Sequence, residues 1–276
     1  MPDAIPPIYL ATAIEAVVRA GDLQMAHFGR HMRVDKKGTI DLVTEIDLQV
    51  EREFRSTIAD RFPGHVVLGE EFSSDEDRTR AAEFQWVLDP IDGTTNFAHG
   101  LPIFCASLAL EINGEAVVGA VYDPNRRELF TAQRDLGACL NGVPLRVSSS
   151  LTLLDSLLVT GFHYSIHKDP GELLGLFAEF ITRARAVRRL GSAAIDLCYV
   201  AAGRFDGFWE QKLQPWDVSA GALIVAEAGG RVTGVSGEPF RSGLGSVLAT
   251  NGRIHAEMLQ TIQTFTAQFR SRNWTD

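Results

Sequence analysis

Trp86-Val87-Leu88-Asp89-Pro90-Ile91-Asp92-Gly93-Thr94-Thr95-Asn96-Phe97 is the stretch on which the reading of this chain turns. An apolar run of strand character delivers Asp89. Pro90 removes a backbone donor and fixes φ, which predicts that the strand stops there. Asp89, the Ile91 carbonyl and Asp92 then project together, an oxygen-only set that suits a hard divalent cation such as Mg²⁺. If Thr94 opens a helix, the N–H groups of Gly93, Thr94 and Thr95 face outward as an anion site for a phosphate. The plain structural alternative is an Asx turn in which the aspartates only cap backbone.

Partners for these carboxylates are sought outward from this stretch. Val66 to Gly69 reads as a short buried strand ending at Glu70-Glu71. Paired glutamates are ordinarily solvated surface, but these close the strand-like segment that precedes Asp89. Further on, Asp217 follows Pro215-Trp216 at the mouth of a helix of small and apolar residues that runs to Ala228 before Gly229-Gly230. Such a helix is buried, so a carboxylate at its mouth either caps it or needs a partner. Thr44 with Asp47 three residues on is a variant capping box opening a helix from about Thr44 to Arg61. With Lys36 and Asp41 it forms a polar group that pattern alone does not separate into cap and site.

The remaining elements follow from periodicity and turn chemistry. Helices are expected over Ile8–Phe28, Glu172–Arg185, Ser192–Ala202, Asp217–Ala228 and Ile254–Phe269. Strands are expected over Gln85–Leu88, Ile103–Glu111, Ala116–Tyr122, Glu128–Thr131, Ser156–Thr160, Phe205–Glu210 and Ser246–Thr250. Asn113-Gly114 is a hairpin signal and Asn141-Gly142 a further turn. Near-equal shares of strand and helix predict an α+β, layered architecture. Ser148-Ser149-Ser150 is the expected boundary between two halves, 1–150 with the metal and phosphate motifs and 151–276 completing the site, together one compact unit.

Composition excludes some classes. Of 276 residues, 45% are apolar and 22% charged, and the formal charge is −9, against the basic face that general nucleic-acid binding favours. Bound metals can still invert the local field for an anionic substrate. The three cysteines, Cys105, Cys139 and Cys198, lie in apolar surroundings and read as buried free thiols of a reducing compartment. Neither a signal peptide nor an apolar run of about 20 residues is evident, and the expectation is a cytoplasmic protein without a membrane span. His163 and His167 lack metalloprotease spacing, and nucleophile-elbow, Walker and dinucleotide motifs are absent. Arg183, Arg185, Arg188 and Arg189 read as a solvated basic face.

Taken together, these segments resemble the inositol monophosphatase family. The match lies in Asp41-Leu-Val-Thr44-Glu-Ile-Asp47, Gly69-Glu70-Glu71, Trp86 to Phe97, His99-Gly100 with Pro102, Gly191-Ser-Ala-Ala194, and Pro215-Trp216-Asp217 through Gly230. Ala201 to Phe208 leans toward bacterial members. The resemblance implies a layered α/β/α/β/α sandwich of the sugar-phosphatase fold, usually a homodimer. It implies Mg²⁺-dependent hydrolysis of phosphate monoesters with lithium inhibition. Glu70, Asp89 and the Ile91 carbonyl would hold one ion. Asp89, Asp92 and Asp217 would hold a second, with a third loosely held near Glu70. Thr94, linked to Asp47, would orient the attacking water with Glu70. Gly93, Thr94 and Thr95 would bind phosphate, and Gly191, Ser192, Ala193 and Glu210 would line the alcohol side, with Asp92 and Asp217 also facing substrate. Gly161 to His167 lies where members vary in substrate contacts.

The implied reaction is inositol 1-phosphate to inositol and phosphate. Fructose 1,6-bisphosphate, histidinol phosphate and 3′-phosphoadenosine 5′-phosphate are alternatives within that chemistry. A regulatory RNA- or protein-binding role on the same scaffold is the rival from another class.

Overall fold

A computed structural model describes residues 5–30, 34–36, 42–74 and 82–273, with the backbone alone for 34–36, 42–43 and 272–273. Two helices lead, α1 (Pro7–His27) and α2 (Glu45–Arg61), with the short pair β1 (Val34–Lys36) and β2 (Leu42–Thr44) between them. A seven-stranded sheet follows: β3 (Val66–Gly69), β4 (Phe84–Asp92), β5 (Cys105–Ile112), β6 (Glu115–Asp123), β7 (Glu128–Gln133), β8 (Gly137–Leu140) and β9 (Val143–Pro144), side by side in chain order. The short helix α3 (Thr94–Ala98) interrupts it after β4.

The rest of the chain builds a five-stranded sheet and four helices. Its strands are β10 (Leu157–Thr160), β11 (Ala186–Arg188), β12 (Gly207–Gln211), β13 (Arg231–Thr233) and β14 (Ser246–Thr250), in the spatial order β11-β10-β12-β14-β13. The helices are α4 (Gly171–Ile181), α5 (Ala193–Ala201), α6 (Pro215–Glu227) and α7 (His255–Asn273).

Three apolar cores stack these elements into five layers. α1 and α2 bury Val17, Val50 and Phe54 against Trp86, Leu88, Leu108 and Leu110 on one face of the large sheet. Val87, Cys105 and Ala109 point to its other face, where they meet α5, α6 and strands of the second sheet. α4 and α7 cover the far side of the second sheet through Leu176, Phe180, Met258 and Ile262. The order is therefore α/β/α/β/α, as the resemblance implies. The small residues of α5 and α6 explain the middle layer: a Cβ on Gly221 would lie 2.7 Å from Leu197, so the two helices pack at near-backbone distance. The middle core draws on residues from both sides of Ser148–Ser150.

Several expectations are corrected. β4 does not stop at Pro90 but runs to Asp92, with a register shift against β5 between Asp89 and Asp92. The missing proline donor breaks the ladder without ending the strand. The shift inverts the side-chain alternation. Trp86 and Leu88 face α1 and α2, and so does Ile91, although strict alternation from Leu88 would turn it away.

The helix expected to Arg185 ends at Ile181, where the Thr182 hydroxyl turns back to the carbonyls of Ala178 (2.9 Å) and Glu179 (3.1 Å). Residues 186–188 then form β11, parallel to β10. Asn113-Gly114 and Asn141-Gly142 both adopt positive φ, at 53° and 77° and at 50° and 78°, and close hairpins. The cysteines are free, Cys105 and Cys198 buried and Cys139 half-buried. Among the described residues no helix is long and apolar enough to cross a membrane.

Candidate active site

Topology brings Glu70, Asp92 and Asp217 to one cavity, with buried Asp89 within reach of their charges. β3 and β4 run parallel, with Gly69 opposite Leu88, so the residue after each partner, Glu70 and Asp89, leaves the same end of the sheet. The register shift after Asp89 turns Asp92 toward the middle layer. There it meets the start of α5: the Ser192 hydroxyl (2.7 Å) and the Ala194 N–H (2.7 Å) donate to Oδ2, and the Ala193 N–H to Oδ1 (3.3 Å). Asp217 sits in the first turn of α6, where Oδ2 accepts from the Gln214 N–H (2.7 Å). Asp89 Oδ1 accepts from the Ile91 N–H (3.0 Å). The cap alternative is thus partly right, because each of these aspartates serves a backbone donor.

The cavity has a volume of about 560 Å³. Glu70, Asp92, Gly93, Thr95, Asp217 and Glu210 line it, with Gly191, Ser192 and Ala193 on the α5 side. Gly161, Phe162, His163, Tyr164 and Ile166 supply a further wall, which places the variable segment at the site. The structure also adds residues that the sequence reading did not single out for the site, among them Asn96, Arg189, Asp196 and Lys212. Asn96 ties α3 to the segment before β5 and to the segment between β11 and α5, its amide donating to the carbonyls of Ile103 (2.8 Å) and Leu190 (2.9 Å).

The electrostatics are those of crowded, buried acids. Burial pushes the Asp89 carboxyl well up, and the charges of Glu70, Asp92, Asp217 and Asp47 push it further. Asp92 rises to about 6 through burial, restrained by the Ser192, Ala194 and Ala193 donors. Burial raises Asp217, with Asp92 and Glu70 adding to it. Glu210 rises to about 8 through burial and the Asp92 charge, opposed by Arg189. Asp196 is raised by burial, Glu210 and Asp92. Proton or cation, something positive is favoured among these groups.

Whether this donor set fits a metal can be asked directly. Among the described residues, no group of three His, Cys, Asp or Glu side chains is arranged as it stands to hold an ion. The fit is nonetheless good on chemistry. All the donors are oxygens, as a hard divalent cation requires. A carboxylate offers roughly four lone-pair positions, so accepting from one backbone N–H, as Asp89 and Asp217 do, leaves others for an ion. The anion side fits as well: the Thr95 hydroxyl oxygen is buried and has no hydrogen-bond partner among the described residues. Gly93 adopts φ 97°, and a Cβ there would stand 2.9 Å from the Ile103 carbonyl, so only glycine forms this turn freely.

Other expected residues fall as follows. Thr44 and Asp47 make the capping box, Asp47 Oδ2 accepting from the Thr44 N–H (2.7 Å) and hydroxyl (2.6 Å). The Thr94 hydroxyl donates to the Ile91 carbonyl (2.9 Å) rather than to Asp47. Asp41 lies outside the described residues, and of Lys36 only the backbone is described. The arginine cluster divides: Arg183 pairs with Glu179 and Arg185 with Asp155, both on the surface, whereas Arg189 lines the cavity.

The profile of the inositol monophosphatase family matches residues 8–267. The inositol-1-monophosphatase of Synechocystis sp. is 44% identical over 255 residues, 92% of this chain and 88% of that protein. The Nus factor SuhB of Pseudomonas aeruginosa is 40% identical over 258 residues, 92% of this chain and 95% of that protein. Among solved structures, the inositol monophosphatase of Anabaena (Nostoc) sp. superposes with a TM-score of 0.83 at 38% identity, covering 93% of this chain and 96% of that one.

Proposed function

The chain belongs to the inositol monophosphatase family, and on that premise we propose that it is a Mg²⁺-dependent phosphatase of small polyol monophosphates, with inositol 1-phosphate as the leading substrate. One observation carries the reading. Glu70, Asp92 and Asp217 come from three separate elements to a single cavity that also holds Gly93 and Thr95, and their charges converge on buried Asp89.

In this reading Glu70, Asp89 and the Ile91 carbonyl would hold one Mg²⁺, and Asp89, Asp92 and Asp217 would hold a second. When bound, a metal pair supplies Lewis-acid stabilisation at the attacking and leaving oxygens and eases deprotonation of a water. The need is real. Phosphate monoester hydrolysis is among the slowest uncatalysed reactions, and a general base alone contributes only about 10²–10⁴-fold.

The chain's own residues do the rest. Glu70 and Thr94 hold the attacking water in line, while Asp47 fixes the start of α2 through Thr44. The N–H groups of Gly93, Thr94 and Thr95 bind the phosphoryl oxygens. Ser192, Ala193 and Ala194 clamp Asp92 and fix its orientation before substrate arrives. Glu210, with Gly191, Ser192 and Ala193, takes the hydroxyls of the alcohol. The family's dimer, its lithium sensitivity and a cytoplasmic setting belong to the same reading.

The relatives named Nus factor SuhB favour a second reading, a regulatory RNA or protein partner. The two roles are compatible on one chain, and the net charge of −9 weighs against RNA as the main ligand. Phosphate release from a panel of inositol 1-phosphate, fructose 1,6-bisphosphate, histidinol phosphate and 3′-phosphoadenosine 5′-phosphate tests the proposal. Turnover of inositol 1-phosphate that needs Mg²⁺ supports it. No turnover of any of the four with Mg²⁺ present overturns it.

A further inference from the structure

Glu70 stands on the turn that follows β3. β3 ends at Gly69, and the N–H groups that follow are bound by one side chain from α2. Glu51, fully buried, accepts from the Glu71 N–H at Oε2 (2.8 Å) and from the Phe72 N–H at Oε1 (3.2 Å). Arg55, one helical turn on, donates to the same carboxylate through Nε (2.9 Å) and Nη2 (2.7 Å).

Arg55 then reaches the strand and the far side of the turn. Its Nη1 donates to the Val67 carbonyl (3.1 Å) and its Nη2 to the Ser73 hydroxyl (3.0 Å). That hydroxyl in turn accepts from the Gly69 N–H (2.9 Å). Gly69 has no room for a side chain, since a Cβ there would overlap the Glu51 carboxylate. Arg52 lies 5.2 Å over the Phe72 ring and adds a second tie from the same helix.

Four N–H donors thus converge on one side chain. A carboxylate, with acceptors on both oxygens, satisfies them all. Asp47 stands one helical turn before Glu51, so a single face of α2 carries Asp47, Glu51 and Arg55 at helical spacing. Its last two members grip the turn from Gly69 to Ser73, and Glu70 is the one residue of that turn that lines the cavity. The bland reading is that Glu51 and Arg55 only join α2 to the sheet. Their bonds, however, go to the turn itself and enclose Glu70 from both sides in sequence.

We propose that Glu51 and Arg55 are a positioning pair for the phosphatase site: their ion pair fixes the turn of residues 69–73 and so sets where the Glu70 carboxylate stands relative to Asp89. This rests on the reading of Glu70 as a metal ligand. Groups that orient metal ligands without touching the metal typically contribute about 10–100-fold in metal affinity.

The test is the Mg²⁺ dependence of the melting temperature, which needs no turnover, followed by the Mg²⁺ dependence of kcat. Glu51→Gln replaces an acceptor oxygen with an amide that faces N–H donors. It should raise the Mg²⁺ concentration needed for half the thermal shift by about 10–100-fold. kcat should recover toward that of the unaltered protein at saturating Mg²⁺, and Glu51→Asp, which keeps the charge, should restore part of the affinity. Ser73→Ala removes only the bridging hydroxyl and covers the case in which Glu51→Gln does not fold. It should shift the Mg²⁺ requirement in the same direction by a smaller factor. A lowered metal-free melting temperature with an unchanged Mg²⁺ requirement in these variants would make the pair merely structural and overturn the inference alone. An unaltered protein whose melting does not respond to Mg²⁺ would overturn the metal reading, and the inference with it.

Discussion

Replacing Asp92 by asparagine should make the metal-free protein more stable at pH 8. Asp92 is 7% exposed, and its carboxyl is raised from 3.8 to about 6 in the folded state. A raised carboxyl contributes stability that is complete below the unfolded value and is lost as pH rises through the folded one. At pH 8 the folded protein therefore carries a penalty of about 3 kcal/mol, from roughly two pKa units at about 1.4 kcal/mol each. The amide of Asp92→Asn does not titrate, so the variant escapes that penalty. It gives up part of the bonding to Ser192, Ala193 and Ala194, worth about 1 kcal/mol.

The net gain of about 2 kcal/mol corresponds to a rise of roughly 4–8 °C in melting temperature. Thermal melts in EDTA at pH 8 and pH 5 read this out. The gain should be full at pH 8 and fall to well under half of that at pH 5, which lies between the unfolded value near 3.8 and the folded value near 6. Mg²⁺ should reverse the order, because a ligand at 100 times its Kd adds about 2.7 kcal/mol to the unaltered protein and little to the variant. A variant less stable than the unaltered protein at pH 8 in EDTA, or a difference that ignores pH, would refute the reasoning.

Other outcomes follow from the same geometry. His255 is fully buried between the hydroxyls of Thr233 (3.1 Å) and Thr250 (3.0 Å), and burial pushes its pKa down to about 4. The depressed value means stability that is complete above the usual 6.5 and falls with pH down through about 4, by up to roughly 3 kcal/mol. Urea unfolding at pH 6.5 and pH 4.5 should show that loss in the unaltered protein and a smaller one in His255→Gln. Gly93→Ala should cost about 1–3 kcal/mol, since alanine would have to hold φ 97°, and lower phosphatase turnover at saturating substrate; calorimetry and kinetics read the two effects. Glu210→Gln should raise KM for polyol monophosphates more than it lowers kcat, as expected of a residue that holds the alcohol side.

Much of this arrangement is legible in the sequence because it rests on local signals. Val66–Gly69 and Ser246–Thr250 are apolar runs of β-branched and aliphatic residues and form strands at those bounds. The Thr44–Asp47 capping box is local by nature and is present. What escaped depends on distant partners. Pro90 reads as a stop, but strand pairing with β5 carries β4 past it, and the resulting slip gives Asp92 its direction. β11 is three residues long and exists because β10 lies beside it. That Asp92 would cap a helix about a hundred residues later has no local signature. Glu51 looks like any helix-surface acid until the turn after Gly69 folds over it. Asp196 reads as a first-turn acid of α5, and only the packing of α5 beneath the cavity reveals that it is buried.

The central claim is tested most directly by phosphate release from inositol 1-phosphate with Mg²⁺, compared between the unaltered protein and Glu70→Gln, each checked for intact fold by circular dichroism. Mg²⁺-dependent turnover that falls by at least about 10²-fold in Glu70→Gln, with the fold unchanged, is the predicted result. Near-equal turnover in the two would contradict the assignment of Glu70 and, with it, the account of the site.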